Sequence, residues 1–173
     1  GVSLNGVEFA PTGTVDWKTI PDKKIKEPKL QNPNGKSVSA GVIIHEDDGR
    51  VWVYEPKDHY GGYNHTFPKG RAESGFSMQQ NALREVWEET GLLVDIEDYL
   101  TDAEGSTTVT RYYVGKRIGG TPADAGWEAW NVKLATPLEL KSLLNTNRDL
   151  NTLQAYADWE IKRLKAAEKA TNP

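Results

Sequence analysis

The feature that most constrains this chain is the stretch from Gly70 to Leu92, GRAESGFSMQQNALREVWEETGL, in which Glu85, Glu88 and Glu89 stand at i, i+3 and i+4. On a helix of 3.6 residues per turn these three carboxylates project from one face, one above the next. Ala82, Leu83, Val86 and Thr90 fall on the opposite side, the side that buries. Ser77 and Gln80 have the spacing of a capping box, and Gly91 suits a left-handed terminator, so the segment predicts a helix from about Ser77 to Gly91. Three like charges on one stripe repel. A helix that carries them is either a plain solvated acidic face or one with a cation held between the carboxylates. All-oxygen donors suit Mg2+ or Mn2+, with magnesium commonly shared between carboxylates and substrate phosphates.

The surrounding residues extend the pattern. Gly70, followed by Arg84-Glu85-Val86-x-Glu88-Glu89-x-Gly91-Leu92, resembles the signature of the Nudix hydrolases, G-x5-E-x7-R-E-U-x-E-E-x-G-U with U aliphatic. The preceding Phe67-Pro68-Lys69 resembles the FPKG opening of one large branch of that family. The resemblance implies an α/β/α sandwich with a mixed sheet between helices, and hydrolysis of a diphosphate linkage with Mg2+ (or Mn2+). It assigns metal binding to Glu85, Glu88, Glu89 and the Gly70 carbonyl. Arg84 would orient the glutamates by ion pairing, although an ordinary i,i+4 pair with Glu88 is the plainer reading. The family's catalytic base varies, so the resemblance leaves open which glutamate serves.

One position departs from the signature. Phe76 stands where its first glutamate belongs. A phenyl ring accepts no conventional hydrogen bond, so Arg84 needs another acceptor, and Glu73 in the preceding loop is expected ahead of Glu88. If the ring is buried, Phe76→Glu is expected to cost roughly 1–3 kcal/mol of stability.

Lys69 and Arg71, just ahead of the acidic helix, are candidates for holding substrate phosphates, the lysine as a point charge and the arginine bidentately. Glu128 lies where the family often places a further acidic residue, and as a plain edge-strand charge it is as well explained. Tyr60, Tyr63, Trp127 and Trp130 can stack a base, though core or strand packing is the commoner use of such residues. The FPKG opening points toward dinucleoside polyphosphates and related compounds. The proline that marks ADP-ribose pyrophosphatases is absent, with Thr107 in its place; Tyr112 and Tyr113 lie slightly later than the tyrosine of the dinucleoside polyphosphate branch. The expected partner is therefore a small nucleotide or polyphosphate. The alternative is a nucleotide-binding module with weak or no catalysis, for which Phe76 is the motive.

Composition bounds these readings. With 173 residues, 37% hydrophobic and 27% charged, the chain suits one domain with a real core. A net charge of −4 argues against a general electrostatic grip on nucleic acid or an anionic membrane. The absence of cysteine and of a visible signal peptide fits a cytoplasmic protein. Gly1 at the start and a sole methionine at Met78 suggest a cut from something longer.

Residues 1–36, rich in Pro, Gly, Asn and Lys, read as an N-terminal arm with a short strand near Val7–Phe9; it packs on the domain, serves a homodimer, or is a solvated linker. The domain then occupies 37–173. Ser37–His45 alternates as a strand with one buried face, turns at Asp48-Gly49, and returns as Val51–Glu55. A flexible aromatic loop spans 56–66. Strands are expected at Leu92–Leu100, Ser106–Val114 and Trp127–Leu134, with a turn at Asp102–Gly105 and a loop from Arg117 to Ala125. Thr136-Pro137-Leu138-Glu139 caps a helix. Leu153, Tyr156, Ala157, Ile161 and Leu164 mark a long C-terminal helix, with residues from Lys165 onward expected to fray.

Overall fold

The computed structural model describes residues 2–4, 7–9, 15–120 and 132–171, with side chains described from residue 15 onward except that of Lys57. Two short strands, β1 (Val2–Leu4) and β2 (Val7–Phe9), pair antiparallel. The main sheet contains β3 (Ser37–His45), β4 (Val51–Tyr54), β5 (Lys69–Arg71), β6 (Leu92–Glu104), β7 (Thr108–Gly120) and β8 (Val132–Ala135). Its order is β6-β7-β3-β4-β8, with β5 pairing β3. The β3–β7 pair is parallel and the others antiparallel, which makes the sheet mixed. Helix α1 (Met78–Thr90) lies on one face; α2 (Pro137–Leu143) and α3 (Asn147–Thr171) lie on the other. This is an α/β/α sandwich.

Helices on both faces change what the strands must bury. Ala40, Val42 and Ile44 meet Ala82, Leu83 and Val86 of α1, while Ile43 meets Val53, Phe67, Leu140 and Tyr156 on the other side. The strand Ser37–His45 therefore has two buried faces rather than the expected one, as strands between two helical layers do. The same division separates neighbouring tyrosines: Tyr113 belongs to the α1 layer and Tyr112 to the α2–α3 layer, and both are fully enclosed.

Three further expectations are corrected. The turn placed at Asp102–Gly105 is strand as far as Glu104, because Asp102 pairs with Arg111 across the ladder and its carboxylate accepts from Arg111 Nε and Nη2 at 2.8 and 2.9 Å. The loop expected from Arg117 is strand to Gly120, where β6 and β7 still face each other at Leu92↔Gly120. Residues 165–171 do not fray in the fold, since α3 runs on through Thr171 with its last turns exposed. The remainder of the expected strand Trp127–Leu134, up to residue 131, lies outside the described residues.

Residues 15–36 contain one 3-10 turn, Trp17–Thr19, and pack in part on the α1 face. Trp17 meets Trp87 with ring centroids 6.0 Å apart, and Ile20 and Ile25 join the α1-side core. Backbone and side chain are stitched together as well: Gln79 accepts from Lys23 N at 2.8 Å and donates to Glu27 Oε2 at 2.9 Å. Glu27 also accepts from Tyr113 Oη at 2.6 Å and Arg111 Nη1 at 3.1 Å. Arg111 is buried, so its charge depends on Glu27 and Asp102 for compensation. Glu27→Ala is expected to lower stability by about 1–3 kcal/mol and to speed proteolysis of the arm. Denaturant unfolding with limited proteolysis checks this; unchanged midpoint and cleavage rate would contradict it.

Candidate active site

The box helix forms as its ends dictate. Ser77 Oγ accepts from Gln80 N at 3.1 Å, and Gln80 Oε1 accepts from Ser77 N at 3.0 Å, so two orphan donors of the first turn are satisfied. Gly91 adopts φ 73° and ψ 9°, a left-handed conformation that a Cβ penalises, and its N–H returns to the Trp87 carbonyl. The apolar face then locks α1 against β3, and the glutamates are left facing β5 and the loop before the helix.

Arg84 organises that face. Its Nη1 lies 3.0 Å from Glu85 Oε1, 3.1 Å from Glu88 Oε1 and 3.9 Å from Glu73 Oε1. The expectation that Glu73 would be its main acceptor is therefore corrected: Glu73 is mostly exposed at the limit of pairing range, whereas Glu88 is fixed one turn along the same helix. Nη2 donates to Asn81 Oδ1 at 3.1 Å and reaches the Arg71 carbonyl at 3.4 Å. The Nε has no partner among the described residues, so even this buried guanidinium is not fully satisfied.

Asn81 was not among the residues the sequence pointed to. It is buried; its Oδ1 accepts from Glu73 N at 2.9 Å and its Nδ2 donates to the Glu73 carbonyl at 3.2 Å. It thereby ties the loop before the helix to Arg84. A polar amide on an otherwise apolar-facing turn, three residues before the arginine, was the available signal.

Phe76 is half-buried, with the Arg84 guanidinium carbon 5.1 Å from its ring centroid and Lys18 Nζ of the arm 5.2 Å from it. The ring faces two cations through its π-system in place of accepting hydrogen bonds from them.

Glu85 is the enclosed carboxylate of the three, 7% exposed. Burial, then the neighbouring Glu88, push its pKa up to about 7 against the pull of Arg84. Its side chain lies so close to Gly70 that a Cβ there would overlap the carboxylate. Gly70 therefore acts as a cradle, bringing backbone next to an acidic side chain. Glu88 and Glu89 are half-buried.

Among the described residues no three acidic or histidine side chains converge into a finished metal cluster, since Glu85 and Glu88 are both drawn to Arg84. The donor set itself fits a hard divalent ion. It consists of carboxylate oxygens on one helix face, and Arg84 is shared between Glu85 and Glu88.

Lys69 and Arg71 flank Gly70 on β5. Arg71 is exposed. Lys69 lies 4.0 Å from the Tyr63 ring centroid and donates to Thr66 Oγ1 at 2.8 Å. Desolvation of the ammonium pushes its pKa down to about 8, opposed by Asp149 and, more weakly, by Glu89. The aromatic loop is a pair of tight 3-10 turns in which Asp58 and His59 take positive φ, with Tyr60 pointing into solvent. Glu128, Trp127 and Trp130 lie outside the described residues.

This arrangement, an acidic helix with one buried carboxylate lying against a strand glycine over a mixed sheet, defines a class. The family model of the NUDIX domain matches residues 35–156, and the chain belongs to the Nudix family. An RNA pyrophosphohydrolase of Caulobacter vibrioides is 37% identical over 64 residues, a stretch that takes in 37% of this chain and 37% of that protein. Among solved structures, a NUDIX hydrolase from Nitrosomonas europaea superposes with a TM-score of 0.61 at 19% identity, covering 71% of this chain and 89% of its own. A C. elegans Ap4A hydrolase superposes with a TM-score of 0.56 at 18% identity, covering 73% and 98%. At these identities the structural likeness speaks to the fold.

Since Phe76 is half-buried rather than enclosed, Phe76→Glu is expected to change stability by less than about 1 kcal/mol, as new ion pairs to Arg84 and Lys18 replace cation–π contacts. Divalent-metal affinity should hold or rise. Thermal unfolding combined with a Mn2+ titration checks both, and loss of metal binding at unchanged stability would overturn this reading of the position.

Proposed function

We propose that the protein is a divalent-metal-dependent hydrolase that cleaves a diphosphate linkage in a nucleoside diphosphate derivative, such as a dinucleoside polyphosphate. The observation that carries this is the enclosed Glu85, held against Gly70 on a stripe with Glu88 and Glu89. Burying a carboxylate among others is costly unless a cation compensates it. Membership of the Nudix family and likeness to proteins named as an RNA pyrophosphohydrolase and an Ap4A hydrolase support the same chemistry.

In this reading Glu85, Glu88, Glu89 and the Gly70 carbonyl hold Mg2+ or Mn2+. Bound there, the ion supplies charge neutralisation at the phosphoryl oxygens and acidifies a water. The chain's own residues do the rest. Arg84 and Asn81 keep the acidic face and the loop at 73–76 in register. Lys69 neutralises a substrate phosphate and Arg71, exposed beside it, binds a second oxygen pair. Glu128 is a further substrate-side candidate. A carboxylate on the acidic face accepts the proton of the attacking water.

A binding module with weak turnover is the second reading. It is favoured by Phe76 in place of an acidic residue and by the turning of Glu85 and Glu88 toward Arg84. Glu89→Gln separates the two. The variant should fold as the wild type and lose at least about a hundredfold in turnover, the scale of removing a positioned metal ligand or base. Excess chelator should abolish wild-type activity. Full activity in the variant or in chelator would sink the proposal, and nucleotide binding without turnover in magnesium would establish the module.

A further inference from the structure

Asp149 is a buried charge that the chemistry above does not use. It sits in the first turn of α3, on the opposite side of the sheet from the box helix, and is 2% exposed. Its Oδ2 accepts from Thr66 Oγ1 at 2.7 Å. The same hydroxyl oxygen accepts from Lys69 Nζ at 2.8 Å. A hydroxyl has one hydrogen, so committing it to Asp149 turns the oxygen lone pairs toward Lys69. A full negative charge behind the hydroxyl also makes it a stronger acceptor than an unpolarised threonine.

Tyr63 fixes the ammonium from a second direction. Its ring lies 4.0 Å from Lys69 Nζ, and its hydroxyl is held in turn by Arg148 Nη2 at 2.9 Å. A lysine on a flexible four-carbon stem is ordinarily a mobile point charge with three donors. Here the hydroxyl accepts from the ammonium while the aromatic face lies over it, so two neighbours restrict its position. Lys69 is covalently next to Gly70, and its ammonium lies within the electrostatic reach of Glu89 on the acidic helix.

We propose that Asp149, acting through Thr66, is a positioning residue that holds the Lys69 ammonium for a phosphate of the substrate. The inference rests on the diphosphohydrolase reading of the site and adds to it the means by which phosphate recognition is preorganised. A buried, polarised hydroxyl sets the direction of the cation before substrate arrives, so little side-chain freedom is lost on binding.

The test uses the whole chain in Mg2+ with methylenediphosphonate, whose P–C–P bridge is not hydrolysed, and reads binding by calorimetry. Thr66→Val, which keeps the shape and removes the hydroxyl, and Asp149→Asn, which keeps an acceptor and removes the charge, should each weaken binding about tenfold, the scale of one charge-assisted hydrogen bond. Lys69→Ala should weaken it at least as much. Thr66→Ser should restore binding to within about threefold of wild type. With diadenosine tetraphosphate as substrate, the Val and Asn variants should raise KM while changing kcat less.

Wild-type affinity in folded Thr66→Val and Asp149→Asn would overturn the inference. So would equal loss in the Val and Ser variants, which would make Thr66 a packing residue, or failure of the wild type to bind the probe. Should Asp149→Asn not fold, the Val and Ser pair decides alone. If the probe binds with the expected pattern but no diphosphate is hydrolysed, the catalytic reading falls and the positioning role stands.

Discussion

The site depends on a charge imbalance along one helix. Glu85, Glu88 and Glu89 share a stripe with a single arginine, and Arg84 spreads its guanidinium over Glu85, Glu88 and the amide of Asn81. Everything nearby is arranged around that shortage of positive charge. The apolar face of α1 anchors the helix against β3, so the carboxylates cannot relax away from one another by moving the backbone. Gly70 removes the side chain that would otherwise keep Glu85 off the strand. What results is a fixed acidic surface in which burial disfavours ionisation of Glu85, a setting in which a divalent cation has much to offer.

Phe76 stands where the Nudix signature has its first glutamate, and the structure shows which groups meet Arg84 in its place. A glutamate there would add a fourth carboxylate and an acceptor for Arg84. The structure supplies the acceptor from Asn81, which also clamps the loop at Glu73, and supplies a diffuse negative face from the Phe76 ring. Lys18 from the arm shares that ring, and the arm is further bonded to the helix start, where Ser77 Oγ donates to Asp22 Oδ1 at 2.6 Å and Gln80 Nε2 to the Ile20 carbonyl at 2.9 Å. The stretch from residue 15 to 36 is thus coupled to the residues that set the acidic face.

How much of this could be read beforehand varied with the range of the interaction. Local signals served well: the Ser77–Gln80 box, the Gly91 terminator, the Thr136–Glu139 cap and the apolar face of α1 are all formed by residues within a turn of each other. The misread turn at Asp102–Gly105 has a turn-like composition, and only its partner Arg111, on the neighbouring strand, makes it extended. The strand Ser37–His45 was expected to bury one face, and the second is buried because α2 and α3 cover it at Ile43. The link from Lys69 through Thr66 to Asp149 joins residues 83 apart in sequence at its far end, and no spacing rule reaches across that distance. Arg84's choice between Glu73 and Glu88 was decided by rigidity: a partner one turn along the same helix holds its place better than one in an exposed loop.

The central claim, that the acidic face of α1 is built to take a divalent cation, is tested most directly by titrating Mn2+ into the protein and following the free ion by electron paramagnetic resonance. The account predicts saturable binding to the wild type, displacement by Mg2+, and loss of that binding when Glu85 and Glu89 are both changed to Gln in a chain that still folds. Equal Mn2+ uptake by wild type and the double variant, or none by either, would contradict it.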